Sequence, residues 1–401
     1  MHICFLSLDY PSPSGGGGVG NQTQTLGRAL VRQGYMVTVV ALAQPGQPAI
    51  MDDGGVRVYR VAQGSLHWYI YKLPWLGRHL ALAVRELEYG WAAFRQLQRL
   101  HAQTPFDLIE ATETGAFWLA LLLSSLPLVI RLHGEQYTFC KYTPDMPLTV
   151  NVRLSRLLQR VAMRRAKLLT SPSQAHAREI AAELGSHCPP IQVIPNAVSL
   201  PNSQQPANNR QKTNPTVLFA GRLERVKGVP LLLEAAGQVL RQMPNVQFKL
   251  IGAAHPTLSQ TELNTITQRL GLNGEIQFLG HLSQRELMGY YQQAELCVLP
   301  SYYETFGLAA LEPMSLGVPV VAAKTGGLSE VVEDGKTGLL VPPGDGPALA
   351  GAIISLLQQP VLRAQMGLAG QQRAQRLFKL EPVVEATLKV YRRVLSHAKD
   401  A

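Results

Sequence analysis

Two cations and two acids stand where their types and spacing could do chemistry. Arg222 and Lys227 lie in "AGRLERVKG" (220–228), a polar loop after the strand-like run "TVLFAG" (216–221) and before a helical stretch. In doubly wound domains ligands sit at strand carboxyl ends, and two cations beside a helix N-terminus suit a diphosphate. Taken alone, the pair is equally consistent with solvated surface charge. Glu304 and Glu312 lie further on, in "SYYETFGLAALEPMSLGVPVVAAKTGG" (301–327). With a helix expected from near Phe306, Glu304 falls in the preceding loop and Glu312 almost two turns in. The backbone amides of Thr305, Phe306, Gly307 and Leu308 then point the same way as Glu304. An acid on either side of an amide cluster suits a ligand with both hydroxyls and phosphate; two solvated helix acids are the plainer alternative.

A second phosphate signal lies at the opposite end of the chain. "SPSGGGGVGNQTQTLGRAL" (12–30) contains a literal G-x-G-x-x-G at Gly15, Gly17 and Gly20. A nicotinamide dinucleotide fingerprint needs those glycines directly after a strand, and an acid closing the next strand for the ribose hydroxyls. Here "DYPSPS" intervenes, and the second strand ends "ALAQPGQ", with Asp52 and Asp53 beyond the following turn. No Gly-Lys-Ser/Thr follows, so it is not a Walker loop either. What survives is a glycine loop opening a helix, which can accept an anion or be only a flexible turn.

The elements that must hold these groups alternate along the chain. "HICFLSL", a helix at 18–33, "YMVTVVAL" (35–42), a Gly- and Asp-rich turn at 52–55, "VRVYRV" (56–61), a long helix at 76–103, "FDLIEA" (106–111), "LPLVIRLHG" (126–134), a helix at 150–166 and "IQVIPNAV" (191–198) make a first series. Residues 201–215, "PNSQQPANNRQKTNP", have linker composition. The alternation restarts with "TVLFAG", a helix at 229–242, "VQFKLIG" (246–252), a helix at 258–270, "IQFLG" (276–280), "ELCVLPS" (295–301), a helix at 306–316, "PVVAA" (319–323) and "GLLVPPGD" (338–345), before two closing helices. Short apolar strands separated by helices imply parallel sheets. The fold class expected is α/β: two doubly wound Rossmann-like domains, 1–200 and 216–379, with 380–401 returning to the first.

At 401 residues two domains are the natural division. A 46% apolar content and near-zero mean hydropathy fit a globular chain. The stretch "GAFWLALLLSSLPLVI" (115–130) is shorter than the roughly 20 residues a membrane span needs, and Pro127 breaks it. "MHICFLSL" lacks a basic start and a long apolar run, so no secretory signal is expected. Cys4, Cys140, Cys188 and Cys297 form no C-x-x-C, and a reducing cytoplasm is the expected location. The net charge of +10 suits nucleic acid, anionic lipid or phosphorylated small molecules; no nucleic-acid motif accompanies it. Arg153, Arg156, Arg160, Arg164, Arg165 and Lys167 collect where no acid occurs between Asp145 and Glu179. "SLHWYIYKLPWLGRHL" (65–80) mixes aromatics with His67, Lys72 and Arg78. These two segments are the candidates for contact with an anionic membrane surface.

The set "GGVGNQTQTLGRALVRQGYMVTVV", "LHG", "IPNAV", "GRLERVKG", "FLGHL" and "PSYYETFGLAALEPMSLGVPVVAAKTGGLSEVVEDGKTGLLVPPGD" resembles the retaining glycosyltransferases of family 4, which have the two-domain GT-B fold. The resemblance covers nearly the whole chain. It implies that Arg222 and Lys227 grip a donor diphosphate, Glu304 contacts the donor sugar and Glu312 the ribose hydroxyls. It further implies that the amides of Thr305 to Leu308 complete the phosphate and sugar site, that Gly17 and Gly18 close over the donor, and that Gly280, His281 and Leu282 border the base. His133 matches a histidine near the reacting sugar and acceptor. Asn196 matches the asparagine of a "PNG" motif, although Ala197 replaces its glycine and no acid follows soon after. The implied function is transfer of a hexosyl unit from a UDP- or GDP-linked sugar to a glycan or lipid-linked acceptor. Cell-surface polysaccharide, lipopolysaccharide or glycolipid synthesis is the expected setting, on the inner membrane face or free in the cytoplasm. No Asp-x-Asp occurs in the chain, so no metal or other cofactor is expected. A nucleotide-sugar epimerase of related build and an idle nucleotide-sugar-binding protein are the alternatives.

Overall fold

The computed structural model describes residues 1–11, 18–74, 76–123, 126–134, 136–198, 214–272 and 274–399. Gly15, Gly17 and linker residues 201–213 lie outside this set. The chain divides into two compact units: Met1–Lys141 with Asp145–Ala197 and Leu380–Ala401, and Tyr142–Pro144 with Val198–Lys379.

The first unit is built on β1 (His2–Ser7), β2 (Met36–Leu42), β3 (Ile50–Asp53), β4 (Val56–Val61), β5 (Leu108–Thr112), β6 (Leu128–Arg131), β7 (Leu168–Ser171) and β8 (Ile191–Val193). They form one sheet in the order β3-β4-β2-β1-β5-β6-β7-β8. Every pairing is parallel except β3 with β4. β1 is buried along its whole length, as a strand covered on both faces must be. The edge strand β3 corrects the sequence reading, which has only a turn at 52–55. The turn itself is Gly54–Gly55, and Asp52 Oδ1 accepts from the Gly55 amide at 3.0 Å. Asp53 is structural: its carboxylate receives Tyr10 at 2.7 Å, Gln24 at 2.9 Å and Arg28, tying the edge to the Gly18–Arg32 helix.

The second unit contains β9 (Thr216–Ala220), β10 (Gln247–Ile251), β11 (Ile276–Gly280), β12 (Leu296–Leu299), β13 (Val320–Ala323) and β14 (Gly338–Val341), ordered β11-β10-β9-β12-β13-β14. All five pairings are parallel. Both sheets change direction of growth beside their first strand, so each unit is a Rossmann-like α/β domain with a switch point there.

Three helices close the described chain rather than two: Gly346–Gln358, Pro360–Leu377 and Leu380–Lys399. The break at Gln359 falls where Pro360 cannot continue the hydrogen-bond ladder of the preceding helix. The last helix belongs to the first unit. Its Val383, Val384, Leu388 and Tyr391 share a core with Ile3, Phe5 and Leu30. A buried ionic cluster fixes it there. Arg131 on β6 donates to Glu110 on β5 at 2.8 and 3.2 Å and to Thr387 at 3.4 Å. The Tyr391 hydroxyl donates to the same carboxylate at 2.7 Å. Burial opposes the charge on Arg131, but Glu110 outweighs it and raises the guanidinium pKa.

Because Glu110 is buried, losing one of its donors leaves an oxygen short of a partner. Tyr391→Phe is therefore expected to cost about 1–3 kcal/mol. Calorimetry should show the melting of the first unit shifted several degrees down and that of the second unit unmoved.

Candidate active site

In the second unit the loop after β9 carries both predicted cations, but it employs them differently. Arg222 extends into solvent and pairs with Glu224 at 3.0 Å. Glu224 is buried and also lies 3.7 Å from the His255 ring, so it orients Arg222 from below. The third cation of the loop, Arg225, is held by the Thr257 carbonyl at 3.0 Å and by Glu262, which leaves it a structural part. Lys227 ends a short turn of 3-10 helix and donates to Glu304 at 2.7 Å. Gly228 then starts the Val229–Gln242 helix with φ 68°. A side chain there would place its Cβ 2.0 Å from the Pro300 carbonyl oxygen. Only glycine lets this loop approach the end of β12 closely enough for Lys227 to meet Glu304.

Glu304 sits in the loop between β12 and the Leu308–Ser315 helix. Ser301 also donates to its Oε1, at 3.1 Å, and the amide of Gly327 donates to its backbone carbonyl at 2.8 Å. A Cβ on Gly326 would stand 2.1 Å from that same carbonyl, so the two loops touch backbone to backbone. The helix begins at Leu308, two residues later than expected, with Gly307 as its cap. Glu312 is consequently about one turn in rather than two. The first amides of this helix lack intrahelical acceptors and its dipole favours an anion at that end. Thr305 and Phe306 are buried and shape the turn rather than project from it.

Glu312 faces a different neighbour. The Tyr291 hydroxyl donates to its Oε2 at 3.0 Å and Gln284 to its Oε1 at 3.4 Å. Burial raises its pKa above the ordinary carboxyl value, with these two donors working the other way. Tyr291 and Gln284 belong to the Gln284–Gln293 helix, whose capping box of Ser283 and Glu286 fixes its start just after Gly280, His281 and Leu282. Gly280 closes β11 with φ 69° and His281 is exposed. Arg222, Lys227, Glu304, Glu312 and the amide turn thus gather at the carboxyl edge of one parallel sheet.

The remaining expected residues lie in the first unit. Gly18 opens the Gly18–Arg32 helix. Asn196 is buried, and its Oδ1 has no hydrogen-bond partner among the described residues. His133 follows β6, and its surroundings contain a residue that sequence reasoning missed. The buried Glu113 carboxylate accepts from the His133 amide at 3.0 and 3.1 Å and from the Gly134 amide at 3.0 Å. Its signal was an acid at the end of β5, in "EATET". Burial, then Arg131, then His176 push the His133 imidazole pKa down to about 3. The ring is therefore neutral near pH 7 and can offer a hydrogen bond but no positive charge. Among the described residues no group of three His, Cys, Asp or Glu side chains is placed to hold a metal ion.

Two family descriptions match the chain side by side. "Glycosyl transferase 4-like domain" matches residues 17–197 and "Glycosyl transferases group 1" matches 202–373. The chain belongs to the family 4-like glycosyltransferases. It is similar to glycogen synthase of Mycobacterium tuberculosis (29% identical; 98% of this chain, 94% of that protein). It is also similar to D-inositol 3-phosphate glycosyltransferase of Arthrobacter sp. (28% identical; 100% and 96%). Among solved structures, sucrose-phosphate synthase from Thermosynechococcus elongatus superposes with a TM-score of 0.80 at 25% identity over 99% of both chains. Anabaena HepE in complex with UDP and glucose gives 0.69 at 26% identity, over 99% and 100%. The protein is a glycosyltransferase of GT-B type, and the epimerase alternative gives way to transfer.

The depressed pKa of His133 has a measurable sign in this glycosyltransferase. An unfolded chain takes up a proton on this ring near pH 6.5, while the folded one does so only near 3, so stability is lost as pH falls between them. His133→Asn removes that loss. Its melting temperature relative to the unsubstituted protein should rise as pH drops from 6.5 toward 3, whatever the gap at neutral pH.

Proposed function

We propose that this glycosyltransferase moves a hexosyl unit from a UDP- or GDP-linked sugar to a glycan or lipid-linked acceptor. The anomeric configuration is retained and no metal ion takes part. The observation that carries the reading is the Lys227–Glu304 pair at 2.7 Å, seated against the Gly326–Gly327 backbone and next to the first turn of the Leu308–Ser315 helix. A cation, an acid and a helix N-terminus in one corner serve the diphosphate and the sugar of a single ligand. In the proposed step the bond from the sugar C1 to the diphosphate oxygen breaks and the acceptor oxygen adds to the same face of C1. The acceptor proton passes to the departing phosphate oxygen. Lys227, Arg222 and the amides of Thr305 to Leu308 stabilise the negative charge that develops there, the task a divalent ion performs elsewhere. Glu304 holds the sugar, and Glu312, kept in place by Tyr291, receives the ribose hydroxyls. His133 offers a neutral hydrogen bond to the reacting sugar, while Gly17 and Gly18 close over the donor and Gly280 to Leu282 border the base. The glucose and UDP bound by the Anabaena neighbour support a uridine-linked hexose as donor.

Incubation with UDP- and GDP-sugars, following both transfer and slow release of free sugar, identifies the donor. Glu304→Gln and Lys227→Ala are each expected to lower kcat on the order of 100-fold or more, and a chelator should leave turnover unchanged. Undiminished transfer by Glu304→Gln would sink the assignment.

A setting at the inner face of a membrane, in cell-surface polysaccharide, lipopolysaccharide or glycolipid synthesis, is supported by an apolar surface on the first unit. The Leu66–Tyr71 helix exposes Leu66, Trp68, Tyr69 and Tyr71, followed by Leu73, beside Lys72. Aromatic rings next to a cation suit the interface of an anionic bilayer. His67 has no part in it: it is buried and bonded to Glu88 at 2.6 Å. On the Val150–Arg165 helix, Arg156 is also withdrawn, paired with Glu183 at 2.6 Å, which leaves Arg153, Arg164, Arg165 and Lys167 exposed. No helix among the described residues is long and apolar enough to cross a membrane. Trp68→Ser with Tyr69→Ser should markedly reduce co-sedimentation with anionic vesicles. Equal binding to neutral and anionic vesicles by the unsubstituted protein would remove the membrane proposal.

A further inference from the structure

One loop of the first unit is held by a single side chain. β5 and β6 run parallel with Thr112 opposite Arg131, so the residues just beyond the two strands, Glu113 and Leu132, leave the sheet side by side. The Leu132 amide still donates to the Thr170 carbonyl at 2.8 Å, a last rung of pairing with the β7 strand. The next two amides go elsewhere. His133 donates to both oxygens of the Glu113 carboxylate, at 3.0 and 3.1 Å, and Gly134 donates to Oε1 at 3.0 Å. Gly134 has φ 82°, a left-handed conformation that turns successive amides toward one point, the concavity in which a backbone holds an anion. Here the anion belongs to the chain itself.

Both oxygens of this carboxylate are engaged, and Glu113 is only 1% exposed. It has almost no surface with which to meet a substrate, so what it contributes passes through the backbone it clamps. The turn that aims it is fixed in its own right, because the Thr112 hydroxyl donates to the Thr114 carbonyl at 3.1 Å. The clamped backbone carries the His133 ring. Burial, Arg131 and His176 act on that ring electrostatically, but no hydrogen bond from the described residues holds it. Its aim therefore follows from the backbone of its own residue, which is set by where the His133 and Gly134 amides are anchored. A group displaced by about 1 Å at a reacting centre can cost on the order of 100-fold in rate.

Resting on the transferase reading above, we propose that Glu113 is a positioning residue for the reaction. By clamping the His133 and Gly134 amides it fixes the direction in which the His133 ring meets the reacting sugar.

The test follows release of free sugar from UDP-glucose and from GDP-mannose by the full chain, with the affinity for the matching nucleoside diphosphate read by calorimetry. His133→Ala and Glu113→Ala are each expected to lower kcat on the order of 100-fold. Nucleotide affinity should stay within about twofold, since Arg222, Lys227, Glu304 and Glu312 all lie in the second unit. The double variant separates positioning from general loosening of the domain. If Glu113 acts only through His133, the double variant is no slower than His133→Ala alone, to within about twofold; independent damage would multiply the two losses. Glu113→Gln keeps one acceptor oxygen but sets an NH2 group where the His133 amide needs the other, so it should lie between, about tenfold down. It carries the same comparison if Glu113→Ala does not fold. The inference is overturned if the Glu113 variants release sugar at the unsubstituted rate, if the losses multiply in the double variant, or if nucleotide affinity falls along with kcat. Undiminished release by His133→Ala would overturn it by another route, removing the part given to His133 in the transferase reading itself.

Discussion

Parallel pairing is the constraint from which the rest of the second unit follows. When all strands of a sheet run one way, every connection that leaves a carboxyl end does so at the same edge. The loops after β9, β12 and β13, consecutive strands in the sheet, are therefore neighbours whatever their sequences. This is how Lys227 and Glu304, 77 positions apart, come within 2.7 Å. The packing of backbone on backbone sets the precision of the meeting. Gly228 against Pro300 and Gly326 against Glu304 are approaches that any side chain would block. The chemistry of this edge thus depends on what is missing from two residues as much as on what is present in two others.

A second theme is the use of buried acids to hold loops rather than to react. Glu113 gathers the amides of His133 and Gly134, Glu224 steadies Arg222, Asp53 ties an edge strand to a helix, and Glu110 binds two strands to the last helix. Glu113, Asp53 and Glu110 each accept from several donors at once, which is what makes a carboxylate tolerable away from water. His133 illustrates the opposite case. Next to Arg131 and away from solvent its ring is kept uncharged, so that whatever it does for a ligand it does as a dipole.

Much of this was legible in the residue order because it is local. The helices at 76–103 and 229–242 and the strands "VRVYRV" and "IQFLG" coincide with the structure, since periodicity and glycine stops are set within each segment. The Arg222, Lys227, Glu304 and Glu312 group was readable because helix and strand ends place it, independent of detailed packing. Where partners come from afar the reading falls short. β3 exists because β4 lends it an edge, and "IMDD" alone does not say so. Arg156 and His67 read as surface charge, yet each is buried by an acid from another helix, Glu183 and Glu88. The one cue to Glu113 is its place at the end of β5, and only its meeting with the amides after β6 gives it meaning.

The return of the Leu380–Lys399 helix to the first unit has a consequence for how the molecule is made. In chain order this helix follows the entire second unit, and yet Glu110 and the hydrophobic surface of Ile3 and Phe5 wait for it. On a ribosome, the domain begun first is therefore the one completed last. Its sheet must persist with a bare flank while some 180 further residues emerge and fold, a period in which the nascent chain presents an adhesive surface to its surroundings. Biosynthesis of this protein thus includes an interval of exposure dictated by topology, which ends only when the last helix clears the exit tunnel.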